Sequence, residues 1–483
     1  MAQSHRTGRC RVVGGATAAL LMAVTLSLSG QGAAPARPPR AAAIDRVFAE
    51  WNRAGSPGCA LAIFENGKIA YERGYGMADL EHDTPITPGT VFYIGSVAKQ
   101  FTAMTAALAI RQGRLGPDDD VRRYVPELPD YGRPIAVRHL IHHTSGLRDV
   151  NALMALAGRR DEDAFDNEAV LRIVARQKAL NAMPGDRFLY SNSGYAVLAL
   201  VVERATGTPF PAYADTNIFK PLGMAVTHYH TDLSRLVRNR AYAYDRRPGG
   251  GFALNTPQNE RAGAGGLFTT VRDLLRWDEN FYDGRVGGLD TIRMLESPGR
   301  LNDGTALAYA WGLTVGSYRG LPVVEHSGSL GGYRAHLIRF RGEHFSVATL
   351  CNVSSVATGA VVRRVAEAFL SERFKEPTPP PGPAPPGVNP PGQHYVYERD
   401  ELAAFAGDYY SDELESTYRV TIDDGQVRLR RGVRREVLAL RAGPKDEFRI
   451  PGCTLRFVRS ADGSLTGLTV DAPPIRGIGF AKR

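Results

Sequence analysis

The chain has 483 residues, 43% of them hydrophobic, with 59 Lys and Arg against 50 Asp and Glu for a formal net charge of +9. That length and apolar content exclude a disordered polymer and allow two or three domains with sizeable cores. The basic excess is scattered rather than gathered into a stripe, which argues against nucleic acid as a partner and suits long-range attraction to anionic cell-envelope polymers.

At the N-terminus Arg6, Arg9 and Arg11 precede an apolar run from Val12 to Leu28, followed by Ala33, Ala34 and Ala36. This pattern reads as an export signal over residues 1–36 and places the mature protein in the periplasm or outside the cell, with no stable membrane span after removal of the signal. A retained N-terminal membrane anchor is the alternative, because the run approaches spanning length. Removing Cys10 leaves Cys59, Cys351 and Cys453, spaced too widely for a zinc motif. Cys59 and Cys351 sit in apolar, strand-like runs that suit small buried hydrophobes; a bridge between them stays open, depending on whether those strands are neighbours.

The globular part begins near Ala43. Cys59–Phe64, the turn Asn66-Gly67 and Ile69–Tyr75 predict a hairpin, since Asn-Gly accepts the positive φ angles of a tight turn. From Ser96 the stretch through Phe101, Met104, Leu108 and Ile110 is apolar on nearly every face and stops at Gly113, predicting a buried helix with Ser96 at its amino end. Residues 118–247 mix helical stretches with Pro and Gly turns, whereas strand-like runs return at Leu313–Val315, His336–Phe340 and Phe345–Leu350. The expected core is a sheet pairing early and late segments, split by a helical insertion, with the site at their junction. Residues 44–375 form that unit, and the proline-rich segment 376–397 reads as an extended linker. Residues 398–483, with short alternating runs and the turns Asp424-Gly425 and Asp462-Gly463, predict a small antiparallel β-barrel.

Three motifs carry chemistry. In Ser96-Val97-Ala98-Lys99 the serine and lysine, three apart, share a helix face. A buried lysine loses its proton more readily than an exposed one, so Lys99 could activate the Ser96 hydroxyl. Tyr190-Ser191-Asn192 offers a phenol able to pass protons if neighbouring cations hold it partly ionised, and an amide that can both donate and accept. His326-Ser327-Gly328 closes the apolar run Leu321–Val324, where Gly328 permits close backbone approach. The backbone N–H of Ser329, with that of Ser96, would form a two-donor oxyanion hole. Each motif alone describes an ordinary helix pair, turn or structural histidine; their combination and order point to acyl transfer.

Together the motifs resemble those of the serine beta-lactamase and penicillin-binding-protein superfamily, in the branch of class C beta-lactamases, D,D-carboxypeptidases, D-aminopeptidases and related esterases. Tyr124–Leu128, His143–Leu147, Pro221–Met224 and Gly265–Thr270 extend the resemblance across residues 44 to 372. It implies an α+β fold, an antiparallel sheet flanked by helices with an inserted helical lobe, and a C-terminal barrel similar to the lipocalin-like barrels of some relatives. It implies Ser96 as nucleophile, Lys99 and Tyr190 as bases, and Asn192, His326, Gly328 and Ser329 as substrate-binding residues, with no metal or other cofactor. Class C enzymes generally carry lysine where His326 stands, so a peptide or ester is expected before a beta-lactam. The expected function is an exported hydrolase of D-amino-acid-containing peptides; a carboxylesterase or weak beta-lactamase is one alternative, and a non-catalytic cell-wall peptide sensor another. Homo-oligomerisation through the C-terminal domain is left open.

His228-Tyr229-His230-Thr231-Asp232 has part of a zinc pattern but lacks the next histidine, and reads as surface-loop histidines. The absence of a Gly-x-Ser-x-Gly elbow argues against an α/β-hydrolase route.

Overall fold

A six-stranded antiparallel sheet joins the two ends of the larger, N-terminal half of the chain. Its strands are β1 (Cys59–Glu65), β2 (Lys68–Tyr75), β3 (Thr314–Tyr318), β4 (Leu321–Leu330), β5 (Tyr333–Phe340) and β6 (Phe345–Cys351), ordered β3-β4-β5-β6-β1-β2. The computed structural model describes residues 39–160, 163, 165–258, 260–378 and 395–483. The expected export signal and most of the proline-rich linker lie outside the described residues. The β1–β2 hairpin turns on Asn66 and Gly67, at φ 50° and 74°, as the Asn-Gly pair predicts. β1 pairs with β6 with Cys59 opposite Cys351, and the two sulfurs are bonded at 2.13 Å. The open question about these cysteines thus resolves to a disulfide joining strands 292 residues apart in sequence.

Six helices matter to the site: α1 (Pro39–Val47), α2 (Lys99–Arg111), α3 (Val150–Leu156), α4 (Asn192–Thr206), α5 (Val271–Asp283) and α6 (Thr358–Leu370). β1 is buried on both faces, which explains why it reads as a continuous apolar run. Leu61 and Ile63 join a core with Ile44 of α1 and Val362 and Val365 of α6. Ala60, Ala62 and Phe64 alternate to the opposite face, among Phe101 of α2 and Trp277 of α5. Burying each large side chain contributes about 1.5–3 kcal/mol, so the sheet is a rigid floor for whatever α2 presents.

The structure modifies one expected element. A 3₁₀ turn, Gly95–Ala98, carries Ser96, and the α-helix begins only at Lys99. At three residues per turn a 3₁₀ segment eclipses positions i and i+3, which aligns Ser96 with Lys99 more closely than an α-helix would. α4 is capped by the Ser191 hydroxyl, which accepts the Gly194 N–H, and ends at Gly207 in the left-handed conformation.

After the N-terminal half, nine antiparallel strands between Gly407 and Lys482 form a nearly closed barrel, in which the first strand, Gly407–Ser411, pairs with the last, Ile475–Lys482. Its interior continues into the core of the helical lobe. Tyr418 and Ser416 hydroxyls donate to the carbonyls of Leu156 and Ala157 at the end of α3, at 2.6 and 2.7 Å. Arg40–Arg483 accordingly form one compact unit.

His228, half-buried, and Tyr229 form a short strand paired with Leu267–Thr269, and His230 just beyond it is 1% exposed, so the reading of surface-loop histidines is corrected to one histidine on a strand and one buried after it. Phe268, the strand partner of His228, packs against both imidazoles, which also meet each other edge to face. Among the described residues no group of three or more His, Cys, Asp or Glu side chains is placed to hold a metal ion, and no helix is long and apolar enough to cross a membrane.

Candidate active site

Lys99 lies at the centre of the site and is fully buried. Its Nζ donates to Ser96 Oγ at 2.9 Å, to Asn192 Oδ1 at 2.9 Å and to the Ala264 carbonyl at 2.8 Å. All three ammonium hydrogens therefore have acceptors, which fixes the head group against the serine. Burial drives its pKa down from the usual 10.5 to about 7; the Asp149 carboxylate opposes that shift and the Arg261 guanidinium adds to it. A lysine so poised holds a substantial neutral fraction at physiological pH and can accept the Ser96 proton.

Asn192, the first residue of α4, aims its amide oxygen at Lys99 because Asp149 holds the other end. Asp149 Oδ2 accepts the Asn192 N–H at 2.6 Å and its Nδ2 at 2.9 Å. Through its other oxygen Asp149 caps α3 by accepting the amides of Asn151 and Ala152. Sequence reasoning missed Asp149, whose partner Asn192 lies 43 residues away; the only local signal was an aspartate at an N-cap before an apolar run.

Tyr190 stands over the lysine, with Lys99 Nζ 4.9 Å from its ring centre, and its phenol lies near the Ser96 side chain. Loss of solvation raises the phenol's pKa above its ordinary value, against the smaller lowering effect of the nearby Ser96 hydroxyl. Loss of solvation therefore works against the expectation of a phenol held partly ionised by neighbouring cations, although Tyr190 is still 40% exposed. Its neighbours include His143, 1% exposed, whose ring lies 4.1 Å from that of Tyr190 and whose Nδ1 accepts the Ser191 N–H at 3.1 Å.

His326, Gly328 and Ser329 all lie in β4, whose pairing with β3 ends at Glu325. Beyond that point the strand is open on one side and faces the Ser96 turn. A Cβ on Gly328 would fall 2.0 Å from the Ile94 carbonyl oxygen and 2.8 Å from the Ser96 nitrogen. Gly95, at φ 53°, packs equally close to Ser329, where a Cβ would lie 2.5 Å from the Ser329 nitrogen. Two glycines thus bring the Ser96 and Ser329 backbones together, as a pair of converging amide donors requires. His326 is tied at both nitrogens: Nδ1 donates to the Ser327 carbonyl at 2.6 Å, which leaves Nε2 to accept the Tyr309 hydroxyl at 3.0 Å. Burial, with the Lys99 charge adding to it, pushes the imidazole pKa down to about 3, so it is neutral at physiological pH. Tyr309, unmarked in the sequence, is the residue that orients it.

The structure thus brings Ser96, Lys99, Tyr190, Asn192, His326, Gly328 and Ser329 to one place, beside a small open cleft lined by Ser96, Asn192, Ser329 and Arg261.

Comparison with known proteins is consistent with this geometry. The family model described as Beta-lactamase matches residues 43–371. A D-aminopeptidase of Gluconobacter oxydans is 30% identical over 314 residues, covering 65% of this chain and 59% of its own length. Penicillin-binding protein 4* of Bacillus subtilis is 29% identical over 296 residues, covering 59% of this chain and 65% of its own. The chain therefore spans less than two thirds of the length of either relative. The octameric penicillin-binding protein homologue from Pyrococcus abyssi superposes with a TM-score of 0.61 at 23% identity, over 92% of this chain and 99% of that one. The D-amino acid amidase from Ochrobactrum anthropi gives 0.59 at 23% identity, over 70% of this chain and all of that one. These likenesses show the fold.

Proposed function

The chain belongs to the beta-lactamase family, and from that premise we propose that it is an exported serine hydrolase that forms an acyl-enzyme on Ser96 and acts on D-amino-acid-containing peptides. The observation that carries this reading is the buried Lys99 Nζ at 2.9 Å from Ser96 Oγ with its pKa lowered to about 7.

In the proposed reaction Ser96 Oγ bonds to the substrate carbonyl carbon while its proton passes to neutral Lys99. Negative charge developing on the carbonyl oxygen is met by the N–H groups of Ser96 and Ser329. The scissile C–N bond then breaks; the leaving nitrogen takes the Tyr190 phenolic proton, and Tyr190 regains one from Lys99. Water repeats the sequence on the ester, so the carbonyl carbon gains a hydroxyl and Ser96 recovers its hydrogen. A raised phenol pKa suits this role, because a protonated tyrosine can donate to a departing amine.

A neutral His326 offers no fixed charge to a drug carboxylate, which ranks beta-lactam hydrolysis below peptide and ester hydrolysis. The C-terminal barrel is read as lipocalin-like, and the mature protein as periplasmic or secreted. Steady-state assays on D-alanyl peptides, short-chain esters and a chromogenic cephalosporin test the proposal. Turnover that is greatest on a D-alanyl peptide and absent from Ser96→Ala supports it, whereas stoichiometric capture without turnover on every substrate would replace the enzyme with a sensor.

A further inference from the structure

Tyr190 stands on an irregular stretch, residues 187–191, that runs into α4. A phenol on such a stretch delivers a proton reliably only where its backbone is held, and the holding comes from one residue. His143 follows the short helix Val137–Ile141 and has a left-handed backbone, at φ 57°. Its carbonyl accepts the Leu189 N–H at 2.8 Å, and its Nδ1 accepts the Ser191 N–H at 3.1 Å. The amides on either side of Tyr190 are therefore both fixed by His143. Its ring also packs on the phenol, with the ring centres 4.1 Å apart and the planes inclined at 33°.

The imidazole has little freedom of its own. The rings of Tyr309 and Tyr195 lie 4.7 and 5.0 Å from it, and Phe188 meets it edge to face at 5.9 Å. To accept an N–H, Nδ1 must be without a hydrogen, which requires the neutral tautomer protonated at Nε2. Burial, with the Lys99 charge adding to it, holds this imidazole well below the ordinary pKa of 6.5, so the acceptor persists where Lys99 titrates. Histidine is also among the residues that enter the left-handed region more readily than most.

We propose that His143 is a positioning residue for the Tyr190 phenol, clamping it over Ser96 so that leaving groups unable to depart as anions receive their proton. The inference rests on the reading of Tyr190 as proton donor in the proposed reaction. When the scissile C–N bond breaks, its electron pair goes to nitrogen, which must take the phenolic proton as it leaves. A p-nitrophenolate leaves with the electron pair and needs no proton. A displaced phenol therefore penalises amides and alkyl esters and spares an activated aryl ester.

The test puts one acyl group, N-acetyl-D-alanine, on p-nitrophenol, methanol and the amine of D-alanine. Ratios of kcat/KM are read, because this constant reports acylation and a general weakening of the site cancels between substrates. His143→Phe keeps a ring against Tyr190 but removes the acceptor for the Ser191 amide. His143→Asn keeps an acceptor near the Nδ1 position, tolerates the positive φ and removes the ring, so one variant remains informative if the other fails to fold. Either change should lower kcat/KM on the methyl ester and the D-alanyl amide by about 10- to 100-fold, cost the p-nitrophenyl ester far less, and so mimic Tyr190→Phe. A parallel loss on all three substrates, or none, overturns the clamp and leaves the hydrolase reading standing. If Tyr190→Phe itself shows no such selectivity, or the unaltered protein cleaves the p-nitrophenyl ester alone, the reading of Tyr190 as proton donor falls and the clamp with it.

Discussion

Glu413, on the C-terminal barrel, places Oε2 2.7 Å from Nη1 of Arg148 in the helical lobe, with both side chains no more than 4% exposed. Gln177 Oε1 shares that guanidinium, the Arg476 carbonyl accepts from its Nη2, and the Lys178 amide donates to the same Glu413 oxygen. Arg148 immediately precedes Asp149, and its own carbonyl accepts the Ser193 hydroxyl beside Asn192. The barrel is thus fastened one residue from the carboxylate that orients the candidate site.

Removing one partner of such a pair leaves a buried charge without its counter-charge, at a cost of about 3–5 kcal/mol. Glu413→Ala should lower stability in denaturant unfolding by that order. Glu413→Gln, which keeps an acceptor for Arg148, should lose less. Barrel and catalytic half should unfold together in a single transition, because they share a core.

Asp149→Asn removes the anion that favours the Lys99 ammonium. The lysine pKa should then fall below about 7, its wild-type value, and the acid limb of the acylation rate should move to lower pH. The rate itself should drop by about 10- to 100-fold as Asn192 loses its orientation. A pH–rate profile with a chromogenic ester reads both effects.

Lys99 also predicts a slope in stability. Its folded pKa, about 7, lies below the unfolded 10.5, so between those pH values the unfolded chain binds more protons. Stability therefore rises with pH across that window, and below it the cost of burying the ammonium is fully present. Denaturant midpoints at pH 7.5 and 9.5 should show a rise in the natural chain that is diminished in Lys99→Met.

Gly328→Ala tests the approach of β4 to the nucleophile. The added methyl would lie 2.0 Å from the Ile94 oxygen and 2.8 Å from the Ser96 nitrogen, forcing β4 and the Ser96 turn apart. Acylation should slow by about 10²–10³-fold, while the circular dichroism spectrum stays native.

The disulfide stands apart from the chemistry. Cys351→Ser should reduce stability by about 2–5 kcal/mol in denaturant unfolding and leave the acylation rate of the folded protein unchanged.

Much of this was legible because it is local. The Ser96–Lys99 pair, the Asn66-Gly67 hairpin and the barrel's alternating runs each depend on spacing within a few residues. The order of the three motifs carried the catalytic set further than any one of them could. Asp149 and Tyr309 were not legible, because an aspartate cap and an aromatic acquire their roles only when Asn192 and His326 arrive from distant parts of the chain. The loss of solvation around Tyr190 was hidden for a related reason: a sequence does not show how many rings will crowd a phenol. Similarly, the Pro-rich segment read as an extended linker left the barrel's docking open, whereas the Arg148–Glu413 pair and the hydroxyls of Ser416 and Tyr418 fasten it to both ends of the α3 segment.

In the proposed reaction Ser96 Oγ is the acylated atom and Lys99 Nζ its base. The most direct measurement is mass mapping after reaction with a fluorescent fluorophosphonate, with labelling rates followed from pH 5 to 9. One label is expected on the peptide containing Ser96 and none in Ser96→Ala, with a rate that rises through the Lys99 pKa of about 7 and collapses in Lys99→Met. Labelling that persists in Ser96→Ala, or a rate indifferent to the loss of Lys99, would contradict this assignment.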